Sequence, residues 1–304
     1  MPITIHNAGS LNIDDVFRTT HIVRPGETIP SRTLDRFAGG KGLNQSTALT
    51  RAGASTRHIG RIGGDGVFLK EGLAADGADV SGIVVGDVPT GHAIIQVADD
   101  GENAIVLFGG ANRGWNPEDV NRLIAGAEEG DILLLQNEIN MTDEIMRAAA
   151  EAGLRLAMNP APMEPGVKDY PLELLDWLVV NEIEGRELAG LALEDRSDAA
   201  DEAVAVELRR LYPKAVVVMT LGKKGAIRVD NGGFIRSSFP DQGLIVDTTG
   251  SGDTFMGYFL AGEVEGLDPE AGLRRACAAG ALAVTRKGAT TGIPYRDEVI
   301  SLIA

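Results

Sequence analysis

The chain has 304 residues, 44% of them hydrophobic, enough to bury a substantial core in one large α/β domain. Its 28 Lys and Arg stand against 44 Asp and Glu, and a net charge of −16 repels a phosphate backbone, which excludes nucleic acid as the partner. Cys277 is the single cysteine and no apolar run approaches the roughly 20 residues that span a bilayer, so a disulfide-free cytoplasmic protein without a membrane segment is expected.

In chain order, residues 16–23, 90–97 and 104–108 read as β segments, the last two joined by the turn-forming Asp99-Asp100-Gly101-Glu102. Residues 40–53 and 66–76 fit helices beside them. From Asp131 onward short apolar runs alternate with helical patterns: DILLLQ, a helix over 141–152, LRLAMNP, DWLVVN and KAVVVMTLG. Parallel strands covered on both faces have unbroken apolar runs of this kind. Helices over 252–264 and 269–285 follow. With no repeat and no Pro/Ser-rich linker, residues 1–304 are expected to form a single domain. Its central, mostly parallel sheet is flanked by helices, and about 12–38 and 88–110 project as a small β-sheet lid.

The stretch DTTGSGDTFMGYFLAG, residues 247–262, is the most informative. Gly250, Ser251 and Gly252 let backbone N–H groups approach a ligand, and the apolar run after Asp253 reads as a helix, so an anion hole forms at a helix N-terminus. The dipole there keeps Asp253 ionised, able to accept a proton while the amides stabilise developing negative charge. For a short Gly-x-Gly-Asp alone, a simple helix cap would be the better reading. A dehydrogenase is disfavoured: the required Gly-x-Gly-x-x-Gly between a first strand and helix is absent, and residues 109–114 do not supply it. His6, His21, His58 and His92 lack metal-ligand spacing.

Asp247-Thr-x-Gly-x-Gly-Asp253-Thr-Phe, preceded far upstream by Gly39-Gly40-Lys41-Gly42-Leu43-Asn44, resembles the paired signatures of the ribokinase-like carbohydrate kinases. The upstream motif is no Walker loop, because Gly42 follows Lys41 where Ser or Thr is needed. The resemblance covers essentially the whole chain, including Gly9-Ser10-Leu11-Asn12-Ile13-Asp14. It implies a ribokinase-like fold and transfer of the ATP γ-phosphoryl group to a sugar hydroxymethyl, with Asp253 as base and Gly250, Ser251 and Gly252 stabilising charge. D-ribose, giving ribose 5-phosphate, is the first acceptor implied. Deoxyribose, fructose, ketodeoxygluconate and nucleosides are the alternatives, and His92, Gln96 and Phe108 in the lid segments are the positions that bear on the choice. A non-catalytic sugar or nucleotide sensor is disfavoured by the presence of Asp253, Lys41 and Asn181.

The resemblance also assigns residues. Asn12, Asp14, Gly40, Lys41, Gly42, Asn44, Glu138 and Asp253 surround the sugar, with Asp14 and Glu138 expected just after strands. Asn181 and Glu184 match an Asn-x-x-Glu motif that places Mg2+ and the triphosphate through ordered water. Thr220, Gly222, Lys224, Gly225 and Gly252 meet the nucleotide, and adenine packs near Cys277, where the pattern often carries His or Asn. A potassium ion beneath the anion hole is bound by Asp247, Thr249 and the carbonyls of Ala283, Arg286 and Gly288, while Gly292 stands where a serine hydroxyl is expected. The lid pairs with its copy in a homodimer.

Overall fold

A computed structural model gives the fold and describes residues 2–191, 197–240 and 243–304. Strand β1 (Thr4–Ala8) is followed by β2 (Asn12–Arg18) and β3 (Thr33–Gly39). Helix α1 (Lys41–Arg51), β4 (Ser55–Gly63), α2 (Val67–Asp76) and β5 (Asp79–Gly86) come next, then the hairpin β6 (Gly91–Val97) and β7 (Asn103–Phe108). An alternating run continues with α3 (Pro117–Ala125), β8 (Ile132–Leu135), α4 (Thr142–Glu151), β9 (Arg155–Met158) and β10 (Trp177–Asn181). Helices α5 (Glu182–Ala189) and α6 (Asp198–Leu211) lead to β11 (Val216–Thr220), β12 (Ala226–Asp230) and β13 (Gly233–Ser237). Four helices end the chain: α7 (Ser251–Glu265), α8 (Pro269–Ala283), α9 (Ala289–Gly292) and α10 (Arg296–Ile303).

Nine strands form the large sheet in the order β13-β12-β11-β10-β9-β8-β1-β4-β5, parallel from β5 to β11, with β12 antiparallel to both neighbours. Its central strands are buried on both faces, and the pleat sorts their side chains. Leu133, Leu135, Leu156 and Met158 join one core with Ile145, Met146 and Leu208 from α4 and α6. Ile132, Leu134 and Ala157 join the other, with Leu49, Phe255, Phe259 and Cys277 from α1, α7 and α8. This two-sided burial is why DILLLQ is apolar without alternation. Among the described residues no helix is long and apolar enough to cross a membrane.

The segments expected as a lid form a separate sheet, β3-β2-β6-β7, with β2 and β6 parallel and both outer pairs antiparallel. Two readings change here. The first lid strand is Asn12–Arg18, displaced from the expected 16–23, because Asp14 and Asp15 sit inside it. Asp15 is tolerated through Arg36, whose Nε and Nη2 donate at 2.8 and 3.0 Å. The edge strand β3, TLDRFAG, has three of its seven residues exposed and one buried, and so lacks an apolar signature.

Candidate active site

β1 lies between β4 and β8, so the loops leaving β1 and β8 diverge and open a crevice at the carboxyl ends of the strands. Helix α1 begins in that crevice. Its N-cap Gly40 has φ 94°, a left-handed value that favours glycine. Lys41 N donates to Glu138 Oε2 at 2.9 Å and Gly42 N to Ser10 Oγ at 3.2 Å, while Ser10 Oγ itself donates to Glu138. Glu138, in the loop after β8, therefore caps the helix that carries Lys41. A Cβ on Gly42 would overlap the Ser10 amide nitrogen, so the β1 loop and α1 fit together only with glycine there.

Asp253 is the third residue of α7, whose N-cap Gly250 has φ 74°. Both carboxylate oxygens are held by neighbours on α1: Asn44 Nδ2 donates to Oδ2 and Gln45 Nε2 to Oδ1, each at 2.9 Å. The Asp253 carboxylate raises the pKa of Lys41 against the opposing effect of burial, and Glu138 and Glu184 add to the rise. A third helix start faces the same space. In α5 the Asn181 side chain accepts from Ile183 N and Glu184 N at 2.9 Å, and Glu184 Oε2 accepts from Asn181 N at 3.0 Å. Burial pushes the Glu184 carboxyl upward, outweighing its bond from Asn181 and the nearby Lys41. Lys41, Asn181, Glu184, Gly250, Gly252 and Asp253 line one cavity of about 220 Å³. Three helix N-termini and one ammonium thus converge on a space suited to an anion of high charge.

On the lid side, Asp14 lies within β2 and not after it. Register pairs Asp14 with Ala93 and Ala93 with Leu107, so these three share a face. Burial, then the charges of Glu138 and Asp15, raise Asp14 to about 7. Asn12 Oδ1 accepts from Asn112 Nδ2 at 2.7 Å, and Asn112 Oδ1 accepts from Leu11 N at 3.0 Å, which fixes the direction of the Asn12 amide. His92, Gln96 and Phe108 belong to the opposite face from Asp14. Gln96 Oε1 accepts from Val23 N at 3.0 Å, whereas His92 and Phe108 border a neighbouring cavity of about 210 Å³ with Asn12 and Glu138.

A groove runs from the anion cavity along the other side of α7. Thr220, Gly222, Lys223, Gly225, Thr248 and Gly252 line its first part, of about 240 Å³. Phe239, Leu244, Ile245, Ala281 and Val284 line an apolar continuation of about 290 Å³. Two expected nucleotide residues stand elsewhere. Lys224 Nζ pairs with Asp198 at 3.0 Å and Asp201 at 3.2 Å, leaving Lys223 to face the groove. Cys277 is fully buried in the core beneath α8, with its thiol pushed up to about 12 by burial, so it has no face to offer a base.

The expected cation residues come together. Asp247 Oδ1 accepts from Thr249 N at 2.9 Å and Oγ1 at 2.6 Å, and Oδ2 accepts from Gly288 N at 2.9 Å. Burial opposes the Asp247 charge, but these bonds outweigh it and hold its carboxyl below the usual range. A Cβ on Gly292 would lie 3.3 Å from the Ala283 carbonyl oxygen and 3.7 Å from that of Arg286, so both carbonyls approach Gly292 closely and leave little room for a side chain there. The Gly288 carbonyl accepts from Gly292 N at 3.0 Å.

Ser10, Gln45 and Asn112 were not singled out by the sequence, yet each anchors a site residue. The sequence carried one signal, the polar run Asn44-Gln45-Ser46-Thr47 within a helix, and the structure buries α1 at every position from Gly42 to Leu49. A polar run buried all round must hydrogen-bond internally.

The family model described as pfkB family carbohydrate kinase matches residues 5–296. The ribokinase of Haemophilus influenzae is 34% identical, over 99% of this chain and 98% of its own. Among solved structures, the Cryptococcus neoformans ribokinase in complex with ADP superposes with TM-score 0.88 at 35% identity, covering 99% of both chains. The Arabidopsis thaliana ribokinase complexed with ribose and ATP gives TM-score 0.87 at 31% identity, covering 100% of this chain and 99% of that one.

Proposed function

The chain belongs to the pfkB family of carbohydrate kinases, and we propose that it phosphorylates D-ribose at its hydroxymethyl group, with Asp253 as the general base. The observation that carries this reading is the Asp253 carboxylate, fixed by two amide donors at the first turn of α7 and sharing one cavity with Lys41 and the Gly252 loop. The acceptor hydroxyl oxygen attacks the γ-phosphorus, the bond from the γ-phosphorus to its bridging oxygen breaks, and ADP departs. The hydroxyl proton passes to Asp253. The backbone N–H groups of Gly250, Gly252 and Asp253 and the Lys41 ammonium would meet the oxygens on which charge accumulates, while the Ser251 N–H donates to the Thr248 carbonyl at 3.3 Å. Asn12, Asp14, Asn44 and Glu138 supply the donors and acceptors that a polyol needs, and Ala93 and Leu107 lie across the sheet from Asp14 on the same face.

Support for ribose comes from the similar ribokinases, one of which is complexed with ribose and ATP. Support for ATP comes from the groove, where Thr220, Lys223 and Thr248 lie beside the apolar Phe239 and Ile245, a mixed lining that suits a nucleotide. Among the described residues no three His, Cys, Asp or Glu side chains form a metal cluster, so Mg2+ would arrive with the triphosphate. Glu184, disfavoured as an anion by burial, and Asn181 fit as its outer partners. When bound, the metal neutralises charge on the phosphate oxygens. Potassium would be held by Asp247, Thr249 and the carbonyls of Ala283, Arg286 and Gly288, with a water in place of the side-chain oxygen that Gly292 lacks. The single cysteine is buried, which suits a reducing cytoplasm. Ile105, Val106, Leu107 and Phe108 on the edge strand β7 are all more than half exposed, an apolar stretch that a second lid covers in a homodimer. The test is ADP release from ATP over ribose, deoxyribose, fructose, ketodeoxygluconate and nucleosides. Ribose giving the highest kcat/KM supports the reading, and another acceptor exceeding it by tenfold overturns the substrate.

A further inference from the structure

We infer that Gln45 is a positioning residue for the Asp253 carboxylate, with its amide direction dictated by a buried chain through Gln136 and Asn7. The inference rests on the reading of Asp253 as base. An amide beside a carboxylate helps only if its NH2 faces the oxygens, and a reversed amide would oppose two acceptors. The chain of bonds forbids reversal. Asn7 Nδ2 donates to the Gly42 backbone carbonyl at 2.8 Å, a group that only accepts, so Asn7 Oδ1 must face the other way. Gln136 Nε2 donates to that Oδ1 at 3.0 Å and to Gln45 Oε1 at 2.7 Å. The Gln45 NH2 is left pointing at Asp253 Oδ1, with Asn159 Oδ1 as a second acceptor at 3.3 Å.

Every member is shielded from water: Asn7 and Gln45 are fully buried and Gln136 is 1% exposed. Water therefore cannot replace a lost donor. The donated bond fixes the carboxylate plane together with that of Asn44. Gly9 completes the arrangement, since a Cβ there would strike Gln136 Oε1 and push the Gln136 amide from its place.

The experiment compares Gln45→Leu, Gln136→Leu and Asp253→Asn with the wild type by steady-state kinetics, pH–rate profile and thermal melting. Gln45→Leu is expected to lower kcat roughly 10- to 100-fold, the loss of one bond to a charged group in a dry site. Both KM values stay within about threefold, and the acid limb of the kcat profile moves upward. Gln136→Leu moves both readouts the same way by less, because the Gln45 amide is then free to turn. A purely structural role would lower the melting temperature and leave the acid limb in place, which overturns the inference, as does a folded Gln45→Leu with wild-type kcat and profile. If Gln45→Leu fails to fold, Gln45→Met, unbranched and of similar length, is read by the same criteria. Full turnover in Asp253→Asn would overturn the base itself, whereas an inactive Asp253→Asn beside an unaffected Gln45→Leu overturns this inference alone.

Discussion

The carboxylate of Asp14 occupies the space that a side chain on Gly39 would need, so closely that a Cβ there would overlap the carboxyl group. Strand pairing brings this about, since Asn12 lies opposite Gly39 in β2 and β3 and Asp14 is two residues on. Gly39→Ala must therefore displace Asp14. The expected result is a sugar KM raised on the order of tenfold, equivalent to one hydrogen bond, with nucleotide KM nearly unchanged. Steady-state kinetics with each substrate varied check it, and an unchanged sugar KM would show that Asp14 does not hold the acceptor.

Asp14 also links stability to pH. Burial, Glu138 and Asp15 raise it from an ordinary 3.8 to about 7 in the folded chain. A carboxyl whose folded value is raised prefers the neutral form, so its contribution is full below the unfolded value and is lost as pH rises toward 7. Asp14→Asn removes that dependence. The difference in melting temperature, wild type minus Asp14→Asn, should fall between pH 4 and pH 8, and a constant difference would contradict the raised value.

Much of this was legible because phosphoryl transfer leaves compact signatures. Residues 247–254 and 39–44 each place several ligand-facing groups on one helix start, and the structure brings both starts to Asp253. Unbroken apolar runs such as Ile132–Leu135 marked the central strands for the same local reason. What stayed hidden depends on contacts between distant segments. Asn112 orients Asn12 across a sequence separation of 100 residues, and no periodicity encodes that. Lys223 and Lys224 are indistinguishable as neighbours in sequence until α6 supplies Asp198 and Asp201 to hold one of them.

That pair separates experimentally. Lys223→Ala should raise nucleotide KM several-fold, because Lys223 faces the groove. Lys224→Ala should leave nucleotide KM near wild type and lower the melting temperature only slightly, because Lys224 itself is solvent-exposed. The opposite ranking would put Lys224 on the nucleotide.

Potassium should raise turnover relative to tetramethylammonium at equal ionic strength, and Asp247→Ala should abolish the increase. A weakly hydrated cation suits a carboxylate among carbonyl oxygens, and fixing Asp247 and Thr249 steadies the loop that leads into Gly250. Equal rates in the two salts would remove the cation from the account.

The central claim is that Asp253 accepts the proton of a ribose hydroxyl during transfer from ATP. Its most direct measurement is ribose-dependent ADP release by wild type and Asp253→Asn at saturating ATP and ribose, with nucleotide binding followed by calorimetry. The account predicts a fall in kcat of roughly 10²- to 10⁴-fold with nucleotide affinity retained. An Asp253→Asn enzyme that turns over ribose at the wild-type rate would contradict it.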